Sequence, residues 1–252
     1  LINSANALQV DFLKNNDYDV DAALWIGDVG ISGINAVAQI LVGDVNPSGS
    51  LVDTYCYDNY SAPAMWNFTP SVYDGYVEGG DVPAKGSTYM IYQEGIYVGY
   101  KYYETRYEDY VMGAGNAGDY AYGDIVAYPF GYGLSYTDFK FSDMTVNYND
   151  ALDVYTVAVK VTNTGAVAGK RTVQLYVQSP YTDYDKQNGI EKSALQLMDY
   201  EKTNTLQPGE SQTITMNVDM SLLASYDSQN AKTFIVDPGD YYFAIGSDAH
   251  DA

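Results

Sequence analysis

The chain has 252 residues, 46% of them hydrophobic, enough to bury one large core or two ordinary ones without help from a metal or a disulfide framework. Its 33 acidic and 12 basic residues give a formal charge of −21, which repels phosphate backbones and anionic headgroups and makes nucleic acid and membrane surfaces poor partners. A single cysteine, Cys56, and a single histidine, His250, leave no material for internal disulfides, for Ser-His-Asp or Cys-His nucleophile systems, or for zinc sites built from several histidines.

Cys56 is expected to be a buried apolar thiol and His250, close to the end, to be solvated. No apolar run approaches the roughly 20 residues of a membrane-spanning helix, so no membrane insertion by this segment is expected. The 28 tyrosines are the compositional anomaly. A ring carrying a hydroxyl suits half-wet strand and interface positions, and equally surfaces that stack on sugars. The start, Leu1-Ile-Asn-Ser-Ala-Asn6, has neither an initiator Met nor a signal-peptide pattern, and the chain is expected to be part of a longer protein.

From Asp21, the run Asp-Ala-Ala-Leu-Trp-Ile-Gly27 has the unbroken apolar character of a strand covered on both faces. A helix is expected next. Ile31, Ile34, Val37, Ala38 and Leu41 recur at helical spacing, with Ser32 as N-cap and Gly43 as the stop. The turn Asp44-Val-Asn-Pro-Ser-Gly49 leads to a second extended run, Leu51-Val-Asp-Thr-Tyr55. One such unit has unpaired edges and a helix on one face only, so further strands must come from elsewhere. Residues 56 to 90 lack a clear period and are expected to form a long ordered loop. Gln93 to Glu104 is expected to be a strand or strand pair with aromatic sides, and Gly113 to Gly118 a flexible loop.

The stretch Tyr128-Pro-Phe-Gly-Tyr-Gly-Leu-Ser-Tyr136 separates two hydrophobic periods. Pro129 fixes one backbone angle, Gly131 and Gly133 open others, and the rings offer apolar surface, which predicts a packed corner between domains. Beyond it the period becomes two. Tyr155, Val157, Val159 and Val161 share a face, as do Val173, Leu175 and Val177, then Ile214, Met216 and Val218, and finally Tyr241, Phe243 and Ile245. Turn signals at Asn163-Thr-Gly165, Gln207-Pro-Gly-Glu210 and Asp237-Pro-Gly-Asp240 separate these runs. Together they predict a small antiparallel β-sandwich.

The loop Gly27-Asp-Val-Gly-Ile-Ser-Gly33 has the wrong glycine spacing for a dinucleotide fingerprint and carries Asp28, so close packing against a neighbouring domain is its better account. Of Glu78, Glu94, Glu104 and Glu108, none is flanked in a way that marks a raised-pKa acid, and a solvated or ion-paired role is expected for each. The spacing of Asp237, Asp240, Asp248 and Asp251 matches no calcium loop. No metal and no cofactor is assigned.

The stretch from Asp21 to Leu51 resembles the end of the α/β sandwich domain of glycoside hydrolase family 3, the β-glucosidases and β-xylosidases. Glu94-Gly-Ile-Tyr-Val-Gly-Tyr-Lys-Tyr-Tyr103 and Pro129-Phe-Gly-Tyr-Gly-Leu-Ser-Tyr-Thr137 are similar to two signatures that follow in that family. Val161-Thr-Asn-Thr-Gly165, Val173-Gln-Leu-Tyr-Val177, Leu206-Gln-Pro-Gly-Glu210 and Pro238-Gly-Asp-Tyr-Tyr242 resemble its fibronectin type III-like domain. Where the family commonly has Gly-Arg-Leu-Pro, this chain has Gly49-Ser-Leu-Val52.

The resemblance implies an α/β plus all-β fold. Residues 1–136 would form the C-terminal portion of the α/β sandwich with a Tyr-rich loop and linker, and residues 137–252 a fibronectin type III-like sandwich. It implies retaining hydrolysis at the non-reducing end of β-linked sugars through a glycosyl-enzyme intermediate. In the family the nucleophilic Asp lies on a TIM-type barrel and the acid/base Glu in an earlier part of the α/β domain. No catalytic residue is therefore carried over, and the isolated chain is expected to be inactive. The implied partners are the barrel, the remaining α/β strands, from the same parent protein or a companion chain, and an oligo- or disaccharide substrate. Some bacterial members place these domains ahead of the barrel, and the order here stays open. Trp66, Tyr73, Tyr76 and Tyr92, in the long loop, are the candidates for sugar contact. The alternative reading is a stand-alone carbohydrate-binding or adhesion module, and a third is a structural spacer. Acidic composition and scarce lysine favour an extracellular or cell-surface setting, with a cytoplasmic one as the alternative.

Overall fold

The computed structural model describes residues 1–14, 17–66, 68, 71–72 and 88–252. Helix α1 (Gly30–Leu41) is where the apolar spacing places it, and Gly43, at φ +81°, closes it by donating its N–H to the Ile40 carbonyl. Its N-terminus differs from expectation. Val29 is the N-cap with no side-chain bond, and Ser32 lies inside the first turn.

The run Asp21–Gly27 makes only one parallel bridge, Trp25 to Ile2, with Ile2 N–H donating to the Leu24 carbonyl at 2.8 Å. A strand needs neighbours, and the described residues supply one short partner. The second run pairs as strand β1 (Tyr55–Cys56) with a later segment. Cys56 is buried as expected, and burial pushes its thiol pKa up. Short elements α2 (Pro63–Trp66), β2 (Ser71–Val72) and β3 (Thr88–Tyr89) follow, β2 and β3 forming a two-stranded antiparallel pair.

The expectation of a strand at 93–104 is overturned. Glu94–Tyr97 is a turn, and Tyr100–Met112 is helix α3, bounded by Gly99 and Gly113 at φ +58° and +63°. Aromatic residues favour strands on average, but Tyr100, Tyr103, Glu104 and Tyr107 recur at helical spacing, and Tyr103 and Glu104 are buried on that face. The glycine-rich loop after it is tied back by Arg106, which donates to Asn116 Oδ1 and to the Ala117 carbonyl. Helix α4 (Tyr122–Ile125) leads into strand β4 (Val126–Tyr128), which pairs antiparallel with β1. Cys56, Tyr103, Tyr120, Tyr122 and Val126 form the core of this half.

The corner at 128–136 is packed, as expected. Leu51 and the corner exchange two backbone bonds of 2.8 Å, Leu51 N–H to the Tyr132 carbonyl and Gly131 N–H to the Leu51 carbonyl. Tyr100 stacks on Phe130 at 4.7 Å, and Asn46 Oδ1 accepts from Ser135 Oγ and Tyr136 N–H. Leu134 and Tyr136 nevertheless remain exposed.

Beyond the corner lies the predicted sandwich. Strands β5 (Phe139–Asn149), β6 (Val154–Asn163) and β9 (Ser211–Asp219) form one antiparallel sheet in the order β5-β6-β9, with Val157 opposite Met216 and Val159 opposite Ile214. Strand β7 (Thr172–Gln178) is followed by helix α5 (Asp183–Asn188), held by a capping box between Thr182 and Asp185, and by β8 (Gln196–Lys202). Strands β10 (Ser225–Asp227) and β11 (Thr233–Ile235) form a hairpin, and β12 (Tyr242–Gly246) completes the second sheet in the order β12-β7-β8. The predicted inward faces of β6, β7 and β9 make the core, with Tyr155, Tyr241, Phe243 and Ile245 packed at its rim. Each such side chain contributes about 1.5–3 kcal/mol of burial.

Strand β7 departs from simple alternation because it is buried on both faces. Tyr176 and Gln174, on the face opposite Val173, Leu175 and Val177, are covered by the α/β half. Tyr176 donates to Gln174 Oε1 at 2.7 Å, and Gln174 Nε2 donates to the Gly131 carbonyl at 3.0 Å. This strand therefore carries the seam between the two halves.

Candidate functional site

Of the candidates for sugar contact, Trp66 and Tyr92 lie among the described residues. Trp66 is 75% exposed with its indole N–H donated to the Tyr60 carbonyl at 2.8 Å, and Tyr92 is 77% exposed. Tyr73, Tyr76 and Glu78 lie outside the described residues.

The carboxylates separate by environment. Glu108 accepts a hydrogen bond from Gln178, and burial, acting against that bond, raises its pKa. Glu104 is only 6% exposed and sits at the centre of a cluster missed by sequence reasoning. Its Oε1 accepts from Tyr122 OH at 2.5 Å, and its Oε2 accepts from His250 Nδ1 at 2.9 Å. The His250 ring stacks on Tyr122 at 3.7 Å and meets Tyr107 edge-on at 4.7 Å. The expectation that His250 is merely solvated is thus overturned: Asp248 and the turn after β12 carry the imidazole back onto α3. Burial foremost, and then the adjacent Glu104 charge, drive the Tyr122 pKa far upward, so this hydroxyl stays a neutral donor. With each oxygen of Glu104 engaged, the cluster staples α3 to the C-terminal residues.

In the acidic C-terminal region Asp237, Asp248 and Asp251 are likewise taken by protein donors. Asp237 Oδ2 takes the Lys192 ammonium at 2.6 Å, which also bonds Asp185 at 2.9 Å. Asp251 accepts from the amide and hydroxyl of Ser247. Among the described residues no group of three or more acidic, histidine or cysteine side chains has a metal-site arrangement, and no helix is long and apolar enough to cross a membrane.

Two surfaces stand out instead. The stripe of α1 is largely uncovered: only Val37 is buried, Ile31 is 99% exposed, and Ile34 and Leu41 are also exposed. Near the N-terminus, Leu1, Ile2, Leu8, Phe12, Leu13 and Val20 line an apolar concavity of about 460 Å³. An amphipathic helix ordinarily buries its apolar face, and most of this one is left uncovered by the described residues.

Comparison with known proteins agrees with this partial architecture. A β-glucosidase of Ruminococcus albus is 32% identical over 256 aligned positions, covering 100% of this chain and 23% of that protein. β-Glucosidase A of Butyrivibrio fibrisolvens is 34% identical over 267 aligned positions, covering 100% of this chain and 28% of that protein. The crystal structure of a β-glucosidase from Paenibacillus barengoltzii superposes with a TM-score of 0.68 at 34% identity, over 87% of this chain and 20% of that one. The chain thus spans about a quarter of the length of the curated relatives it matches. Residues 1–100 match the model of the glycosyl hydrolase family 3 C-terminal domain, and residues 171–249 that of a fibronectin type III-like domain. With an α/β half and an antiparallel sandwich joined at a packed corner, the chain belongs to glycosyl hydrolase family 3 and carries its C-terminal region.

Proposed function

We propose that this chain is the scaffold portion of a retaining, exo-acting hydrolase of the β-glucosidase type, releasing sugars from the non-reducing end of β-linked substrates. Double displacement needs one carboxylate as nucleophile and a second as acid then base. In this reading both belong to another stretch of polypeptide, a barrel and the remaining α/β strands. The observation that carries the reading is the uncovered apolar face of α1, an unfinished layer in a chain about a quarter as long as its β-glucosidase relatives. Residues 1–136 and 137–252 are taken as the two units of the scaffold. Trp66 and Tyr92, both exposed rings, are the proposed sugar contacts from the long loop. An extracellular or cell-surface setting is proposed on the strength of the acidic, lysine-poor composition.

The test is complementation. The 252-residue chain is mixed or co-expressed with the catalytic domains of a relative that lack this region, and hydrolysis of an aryl β-glucoside is measured. Activity from the mixture alone supports the proposal, whereas turnover by the purified chain without a partner overturns it.

A further inference from the structure

We propose that residues 247–252, which follow β12, form a clasp: a self-closed turn that locks the sandwich against the α/β half, and whose opening frees the two halves to swing about the contact of α3 with β8. The turn is held by its own carboxylates. Asp248 Oδ1 accepts from the amides of His250 and Asp251, both at 3.0 Å. Asp251 Oδ2 accepts from the Ser247 amide at 2.9 Å and from the Ser247 hydroxyl at 2.8 Å. An aspartate that takes amides two and three residues further on fixes a turn locally, and the bonds from Ser247 to Asp251 close this one within the segment itself.

The closed turn engages both halves. The Ser247 carbonyl accepts from Arg171 Nη2 at 3.1 Å and from Gln174 Nε2 at 3.2 Å. The same two side chains donate to the corner, Arg171 Nη1 to the Gly133 carbonyl at 3.3 Å and Gln174 Nε2 to the Gly131 carbonyl at 3.0 Å. Ala249, 2% exposed, donates its N–H to the Phe130 carbonyl at 2.9 Å. His250 then reaches Glu104 of α3 and the Tyr122 ring of α4. None of these bonds goes to β5, β6 or β9. Each is weak alone, but all depend on one turn, so losing the turn removes them together. A second set of contacts joins the halves without this segment. Tyr100 OH accepts from the Leu197 amide and Thr105 Oγ1 from the Ala194 amide, both at 2.9 Å. Those bonds survive an open clasp and leave α3 a pivot on the sandwich, which is the arrangement of a hinge. The consequence for assembly, the angle at which α1 meets the missing layer, rests on the hydrolase reading above, whereas the clasp does not.

The 252-residue chain and two variants are compared by amide hydrogen exchange and by residual dipolar couplings. Asp251→Ala opens the turn without removing a hydrogen bond to the other half, and Arg171→Met removes the guanidinium bridge while keeping an apolar stem. In each variant the amides of residues 100–112 and 129–133 are expected to exchange about tenfold faster, and those of β6 and β9 at the parent rate. Couplings from the two halves, which fit one alignment in the parent, are expected to need two. Tyr226→Ala, an exposed ring elsewhere on the sandwich, is expected to behave as the parent does. Parent-like exchange and a single alignment in both variants overturn the proposal. Acceleration that spreads equally into β6 and β9 also overturns it, because that marks a general loss of stability. A clasp that opens as expected while complementation fails would remove the hydrolase reading and leave this one standing.

Discussion

His250 Nδ1 lies 2.9 Å from Glu104 Oε2, joining the end of the chain to a helix 146 positions earlier. The carboxylate is nearly enclosed, and removing the imidazole would leave one of its oxygens without its partner. His250→Ala is therefore expected to lower stability by about 1–3 kcal/mol, read from the urea midpoint, and to speed amide exchange in residues 246–252. Unchanged exchange there would show that the staple holds nothing.

The corner is predicted to tolerate no side chain at Gly133. A Cβ at this position would lie 2.4 Å from the Gly49 carbonyl oxygen, a backbone atom that cannot rotate away. Gly133→Ala should cost more than about 1 kcal/mol and separate the Leu51 and Tyr132 backbones. A melting temperature equal to that of the parent chain would contradict this.

Acid sensitivity should be traceable to Asp227. Tyr184 OH foremost, then the amides of Ala231, Asn230 and Gln229, hold this carboxyl well below the usual carboxylate range. A folded pKa below the unfolded value of about 3.9 means that its stabilisation is present above pH ~4 and lost as pH falls through the folded value. Asp227→Asn should lower stability at neutral pH and flatten the decline between about pH 5 and pH 2. Denaturation curves for parent and variant that stay parallel over that range would refute the assignment.

Substitution on the exposed face of α1 should separate folding from assembly. Ile31→Gln changes a side chain that is 99% exposed, so the stability of the isolated chain should move by less than about 0.5 kcal/mol. Complementation of catalytic domains should fall sharply if that face seats the missing layer. Full complementation by the variant would move the contact elsewhere.

The alternating runs at Val157–Val161, Val173–Val177 and Ile214–Val218 were legible because each strand of the sandwich meets the core in a period of two. The α1 stripe was legible by its own period, though its N-cap was not. The strand expected at 93–104 gives way to a turn and the start of helix α3 because tyrosines favour strands only on average, while here the helical spacing of buried Tyr103 and Glu104 decides. Asn163 looked like a turn residue and is also a fully buried hub. Its carboxamide accepts from Thr137 Oγ1 at 2.8 Å and donates to the carbonyls of Val167 and Leu206. Nothing local announces the Thr137 and Leu206 partners, which come from distant segments.

By itself the sequence determined the sandwich, the α1 helix, the packed corner and the family, since periodicity, turn chemistry and ordered motifs are properties of neighbouring residues. Only the tertiary structure decided that Glu104 is sealed by Tyr122 and His250 and that β7 is buried on both faces. Those relationships depend on which distant segments fold against one another. That choice is set by the sum of burial and hydrogen bonding over the whole chain, and no local window of sequence contains it.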